Sequence, residues 1–561
     1  KDIKEAGLFT DAAGAGQLDS SAGALRTRFV YANTDLVAKL GGPAELQQRG
    51  VTLPLNLFDD VSYTAVLARV ESAEDTPEDF TWFGVLKGVE GSNVVLSVYN
   101  GILSGLVSTP EATYQINPAG DGVYAIEEMG QAAAAADEEV IAAESVDKAK
   151  ELFVETEMQG SLDLAENDTF ASTKFVEVNF DLLDGLDGPD AAQSEKGQVL
   201  ALKLSDEVSH LAVLDRVDTY GPNSIVWVGS IENEAGSEVH LAVEDGVMSG
   251  TIKTADAAYQ VRYAGSGVHA IHEIDNAGYA EELEPIPVDN TGSMEEMEIN
   301  EATADSGSQI DVLVVYTGAA KTAAGGATAM NTLINTAISE SNTGYGNSQI
   351  TQRLRLVYKG EVSYSESGFN WSTTLSRLRG TTDGYMDNVH TLRDNYCADH
   401  VVLLVADTAW CGLAYLMDPV SSTFHTSAFS LVAQNCATGY YSFAHEIGHN
   451  EGARHNCQQD STLTPYYYAH GYGNSSMNRT VMAYSNACTG SSTSSCVRRN
   501  VWSNYNVYFP GTTIRAGTNG TSGCQARNYQ TLLNTDYTTA NFRQSASCAT
   551  PGKATLIAPT G

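Results

Sequence analysis

Cysteine is missing from the first 396 of 561 residues; all eight lie between Cys397 and Cys548. An even number confined to one region points to disulfides and an oxidising, secreted setting, although eight cysteines allow about 105 pairings. No CxxC pair occurs, which counts against the competing reading of a zinc–thiolate cluster. Basic residues are also scarce. There are 31 Lys and Arg against 70 Asp and Glu, a net charge of −39, so nucleic acid is not an expected partner. Long apolar runs are lacking. The longest, such as Val401–Ala406, fall far short of the ~20 residues that span a bilayer, and no membrane span is expected. There is no signal peptide at Lys1, and with these cysteines the expectation is a secreted chain whose signal has been removed. What is present, 42% apolar residues with only 14 Pro, excludes the disordered, collagenous and low-complexity classes.

The charge is divided unevenly. Residues 1–310 hold 56 acidic and 16 basic side chains, a difference of −40; residues 311–561 hold 14 and 15, a difference of +1. The acidic half contains an internal repeat. Trp82-Phe83-Gly84 corresponds to Trp227-Val228-Gly229 at an offset of 145, which also relates Gly101 to Gly246, Tyr114 to Tyr259 and Ala125-Ile126 to Ala270-Ile271. Arg69-Val70 matches Arg216-Val217 at an offset of 147, so one copy carries a two-residue indel. The copies run from about Phe29 to Glu128 and from Phe175 to Glu273, a duplicated domain. Apolar alternation broken by Gly, as in Val94–Val98 followed by Gly101, predicts antiparallel β structure.

The expected organisation is a β-rich repeat over 1–130, a helical connector rich in Ala, Glu and Lys over 131–172, and a second β-rich repeat over 173–276. An exposed acidic linker with a processing site follows over 277–307. From 308 to 548 the texture changes. Ile310–Tyr316 and His400–Ala406 read as buried strands, Leu354–Tyr358 as another strand, and Ala327–Thr343, Ser372–Asn395 and Ala526–Phe542 as helices. Strands alternating with helices indicate an α/β layer with a mixed sheet. Residues 549–561 read as a tail.

The chemistry concentrates in Ser442–Cys457, SFAHEIGHNEGARHNC. His445 and His449, four apart, share one helix face, so both imidazoles can reach one cation. Glu446 lies beside that cation without binding it, where it can take a proton from water. Gly452 lets the chain leave the helix with positive φ, and His455 returns as a third ligand. Three neutral nitrogens with one open position make the catalytic form of a zinc site.

With its HExxHxxGxxH pattern the sequence resembles the metzincin clan of zinc endopeptidases, over about Ile310–Arg543, and within it the reprolysins (adamalysin-like enzymes). The resemblance implies a metzincin-like fold, Zn2+, protein or peptide substrates, and a Met-containing turn, here Thr480–Tyr484, with Met482 as an apolar base 27 residues after His455. Cys411-Gly412-Leu413-Ala414-Tyr415 resembles the substrate-binding edge strand of these enzymes, and Phe429–Val432 the strand that follows. Two pairings are proposed: Cys411 with Cys436, bracketing those strands, and Cys488 with Cys496, closing a Ser/Thr-rich loop. Asn456 stands where reprolysins usually carry Asp. Tyr484, two residues after Met482 as in astacins and serralysins, is a candidate donor to the tetrahedral intermediate.

The remaining histidines are not expected to bind metal. His269 and His272 correspond to Tyr124 and Glu127 in the other repeat and are expected on the surface; His390, His400, His425 and His470 have no ligand spacing. The resemblance further implies that the acidic half is a propeptide, a partner of its own protease domain. With no cysteine before Cys397 a cysteine switch cannot operate, leaving a carboxylate on the metal or steric cover. The alternatives are an active protease that keeps its β domains as a surface- or matrix-binding module, and a zinc-dependent adhesin without catalysis.

Overall fold

Alternating apolar residues and glycine turns in the first half build two antiparallel sheets of nine strands each. The computed structural model describes residues 8–12, 24–33, 52–73, 76–89, 92–99, 102–109, 112–120, 123–129, 151–156, 170–183, 198–221, 223–288, 305, 307, 309–489 and 496–544. The chain divides into two units, Lys1–Glu138 and Glu139–Gly561.

In the first unit the strands lie side by side in the order Phe9–Asp11, Ala24–Ala32, Val123–Met129, Thr113–Gly120, Ile102–Ser108, Asn93–Tyr99, Thr76–Leu86, Val61–Ala73, Thr52–Phe58. Its core includes Trp82, Leu96 and Ile126. The second unit opens with a sheet of the same strand order, from Phe153–Glu155 and Phe170–Val178 to Val199–Lys203, around Trp227, Leu241 and Ile271. Equivalent positions make equivalent bonds. The Leu86 amide donates to Ser92 Oγ at 2.8 Å, and the Ile231 amide to Ser237 Oγ at 2.8 Å.

Two expectations for this half are corrected. The connector was expected to be helical; its residues 131–150 and 157–169 lie outside the described residues, but Phe153–Glu155 is a strand paired with Phe170–Val178. Burial of Leu152 and Phe153 in the sheet core outweighs local helix propensity, and Leu8-Phe9 do the same in the first sheet. His269 and His272 are fully buried, not on the surface. They are three apart on the strand Val268–Ile274 and therefore face opposite sides of the sheet, and both sides are covered. The Met248 amide bonds to His269 Nε2 at 3.0 Å, as the Leu103 amide donates to Tyr124 Oη at 3.3 Å. His272 stacks on Phe170.

The C-terminal region is a mixed six-stranded sheet in the order Ile286–Pro287, Gly412–Leu416, Phe429–Ala433, His400–Val405, Gln309–Thr317, Arg353–Val362. Gly412–Leu416 runs antiparallel to Phe429–Ala433, while the inner strands are parallel. Helices Gly318–Ala324, Ala327–Asn347, Trp371–Arg379, Asn388–Tyr396, Ser442–Asn450 and Asn528–Thr539 flank it. The single helix expected over Ser372–Asn395 is two, broken between Gly380 and Asp387.

The long helix Ala327–Asn347 is buried on nearly every side because the second nine-stranded sheet packs on its polar face. Ser249 Oγ meets Thr332 Oγ1 at 2.7 Å, Asn335 donates to Ser224 at 2.9 Å, and His240 Nδ1 lies 3.1 Å from Ser339 Oγ. Three disulfides pin the described loops: Cys411–Cys436, Cys488–Cys496 and Cys457–Cys524, the last joining segments 67 residues apart.

Candidate active site

Ser442–Asn450 is a buried helix entered through Tyr441, whose φ of 62° is left-handed. It leaves through Gly452, where φ is +91° and a β-carbon would crowd the Met417 carbonyl oxygen at 3.2 Å. Glycine takes this conformation at little cost. The chain then turns back, and His445, His449 and His455 meet.

Their Nε2 atoms lie 3.0–3.1 Å from one another. Each Nδ1 is turned outward to an acceptor: His445 to the Val481 carbonyl at 2.9 Å, His449 to the Ala453 carbonyl at 2.8 Å, His455 to Glu284 Oε2 at 3.2 Å. Protons on the Nδ1 atoms leave three Nε2 lone pairs converging on one point. Burial holds the His445 imidazole down to about 3 and His449 well below its ordinary value, so both are neutral. Three lone pairs at that separation repel one another unless a cation lies between them, so the donor set fits a metal.

Met482 is buried under the helix. A β-carbon on Gly448 would meet its Sδ at 3.0 Å, and the neighbouring Val481 carbonyl orients His445. Asn456 ties this turn to the third histidine, accepting from the Tyr484 amide at 2.9 Å and donating to Asn486.

Glu446 is buried, and neither carboxylate oxygen is hydrogen-bonded among the described residues. Burial first, and the Glu282 carboxylate second, push its pKa well above the usual range. Gly412 faces it directly, and a methyl there would overlap the Glu446 carboxylate. Leu413, Ala414 and Tyr415 continue the edge strand, which Asn450 fastens to the helix by donating to the Tyr415 carbonyl at 2.7 Å.

That edge strand is already paired. The segment before Val288, expected to be an exposed linker, runs along it: the Cys411 amide donates to the Glu281 carbonyl at 3.1 Å, the Leu283 amide to the Gly412 carbonyl at 2.9 Å, and Ile286 pairs in parallel with Tyr415. The Tyr484 hydroxyl donates to the Glu282 carbonyl at 2.5 Å. Glu282 itself is fully buried against Ser442 and Arg498. None of these carboxylates joins the three histidines as a ligand group among the described residues. Docking on an edge strand overrides the linker's polar composition; the pairing of Glu282 with Arg498, 216 residues away, leaves no local sequence pattern. The one available signal was Arg498-Arg499, two adjacent cations in a half with 15.

Among the described residues, His470 alone of the other histidines belongs to a second ligand-like group, with Cys457 and Cys524. Those sulfurs are joined to each other, and both His470 nitrogens face carbonyls.

The family model for metallo-peptidase family M12 (reprolysin) matches residues 306–495. A peptidyl-Asp metalloendopeptidase of Stenotrophomonas maltophilia (strain K279a) is 37% identical over 376 residues, 63% of this chain and 85% of that protein. One of Xanthomonas campestris pv. campestris is 36% identical over 379 residues, 64% and 84% of the two chains. A shorter peptidyl-Asp metalloendopeptidase of Pseudomonas fragi is 34% identical over 206 residues, 36% of this chain and 100% of its own. The converging histidines and these relatives lead to one assignment: the chain belongs to metallo-peptidase family M12 and is a metalloendopeptidase of the metzincin type.

Proposed function

We propose that the chain is the zymogen of a secreted zinc endopeptidase, with Glu446 as general base and the N-terminal half as its pro-region, a duplicated β module. The observation that carries the catalytic reading is the convergence of three imidazole nitrogens beside a buried carboxylate that accepts no hydrogen bond among the described residues. His445, His449 and His455 would hold the metal, and three borderline nitrogen donors suit zinc. When bound, zinc supplies the Lewis acidity that polarises a peptide carbonyl and acidifies a water. Glu446 accepts the proton of that water and delivers it to the leaving nitrogen. The peptide lies extended on Gly412–Tyr415 by strand addition, and Tyr484, which now donates to the Glu282 carbonyl, donates to the substrate carbonyl in its place. Met482 supports the site from below.

The latency reading rests on the occupied edge strand: Glu281–Pro287 fills the place of a substrate by steric cover. The polar contact between the second sheet and the long helix supports a detachable partner, because Ser, Thr and Asn side chains exposed on release are readily hydrated. The cysteines, all engaged among the described residues, support an extracellular setting. The relatives' common name supports cleavage at aspartyl residues.

Glu446→Ala in the zinc-loaded chain tests the catalytic reading. Peptide cleavage should be abolished with about one zinc per chain retained. Retained activity, or loss of the metal, contradicts the assigned role.

A further inference from the structure

Arg498 is a fully buried guanidinium. Its Nη1 donates to Glu282 Oε1 at 2.5 Å and its Nη2 to Oε2 at 2.7 Å, the two-pronged match of guanidinium to carboxylate. Ser442 Oγ, one turn before the zinc-site Glu446, donates to the same carboxylate at 2.6 Å. The Tyr440 ring lies 4.2 Å from the guanidinium carbon, and the Tyr440 carbonyl accepts from Nη1 at 3.1 Å. Arg498 Nε has no partner. Burial, the largest single influence, pushes the Glu282 carboxyl up, but Arg498, His445 and Ser442 together outweigh it and hold the group well below the usual range.

Glu282 differs from its neighbours. The side chain of Glu281, which pairs with Arg479 and reaches Arg498 Nη2 at 3.5 Å, is 24% exposed, and that of Glu284, against His455, is 55% exposed, while Glu282 is wholly enclosed. The backbone on either side of it is pinned to Cys411 and Gly412, so its side chain enters the pocket as that of a peptide laid on the edge strand would. If the segment leaves, Arg498 loses both of its counter-charges, Glu282 and Glu281. An acidic group replaces that pairing most closely, and a pocket built to hydrogen-bond a carboxylate disfavours neutral isosteres because its donors are then left less well paired.

We propose that Arg498 and Ser442 form the specificity pocket of this enzyme, reading an acidic side chain of the substrate, and that Glu282 occupies it in the zymogen as a substrate-like plug. The inference rests on the endopeptidase reading above and identifies which residues would give it acidic selectivity.

The test uses the full-length zinc-loaded chain in wild-type, Arg498→Gln and Glu282→Gln forms. It compares cleavage of two peptides that differ only by Asp or Asn, and hydrogen exchange over Glu281–Val288. The Asp/Asn ratio of kcat/KM should be about 100 in wild type and in E282Q, and fall to within about threefold in R498Q through loss of the Asp peptide. Exchange over Glu281–Val288 should rise in both variants, and E282Q should cleave the Asp peptide about tenfold faster than wild type. A wild-type Asp/Asn ratio in R498Q, or unchanged exchange in E282Q, overturns the proposal. If R498Q does not fold, E282Q alone decides by the same criteria. Faster exchange in E282Q with no cleavage of either peptide by any form leaves the plug standing and refutes the endopeptidase reading instead.

Discussion

At the scale of residues, Gly412 shows how one missing side chain serves the site. It lies on the edge strand, yet a β-carbon there would overlap the carboxylate of Glu446. Gly412→Ala should therefore displace Glu446, the proposed general base, lowering kcat/KM by about 100-fold or more while zinc content stays unchanged. Steady-state kinetics with metal analysis checks both, and unimpaired turnover would contradict the packing argument. The convergence of the three histidines was legible because binding one ion from a helix would place His445 and His449 four apart, and returning a third ligand would place Gly452 before His455. Arg498 and Glu282 were not legible. Their contact is made across 216 residues, and among 56 acidic side chains in the first 310 residues nothing local marks Glu282.

At the scale of elements, the strand Val268–Ile274 carries a pH dependence through its two buried histidines. Burial holds His269 down to about 4 and His272 to about 3. The unfolded imidazoles take up protons below about 6.5, so the sheet bears no cost above that pH and loses stability as the pH falls through the window towards 4 and 3. Hydrogen exchange between pH 7 and 4 should loosen Val199–Ile274 before Thr52–Met129, where Tyr124 and Glu127 replace the two histidines. Simultaneous loosening would show that their burial is inconsequential. Period and composition located the buried strands Gln309–Thr317 and His400–Val405, whose apolar runs admit no other reading. They misjudged elements whose fate depends on partners: Phe153–Glu155 became a strand because the sheet core receives Leu152 and Phe153. The Cys457–Cys524 link was likewise illegible, since spacing does not select among pairings. Its removal should lower stability by about 2–4 kcal/mol, measured by denaturant unfolding of the double Ser variant.

At the scale of the whole molecule, the division of charge takes on a meaning that composition alone did not give it. Residues 1–310 carry −40 and residues 311–561 carry +1, while the acidic part reaches into the cleft through Glu281, Glu282 and Glu284 and meets Arg479, Arg498 and His455 there. On release of the acidic half, the isoelectric point should move from strongly acidic to near neutral, which isoelectric focusing before and after processing reads directly. The central claim is that a competent metalloendopeptidase site is covered by its own upstream segment. The most direct measurement is kcat/KM on an Asp-containing peptide for the zinc-loaded chain before and after cleavage between Val288 and Gln309, with zinc content determined in both. The account predicts a rise of about 100-fold or more at constant zinc; equal activity of the two forms would contradict it.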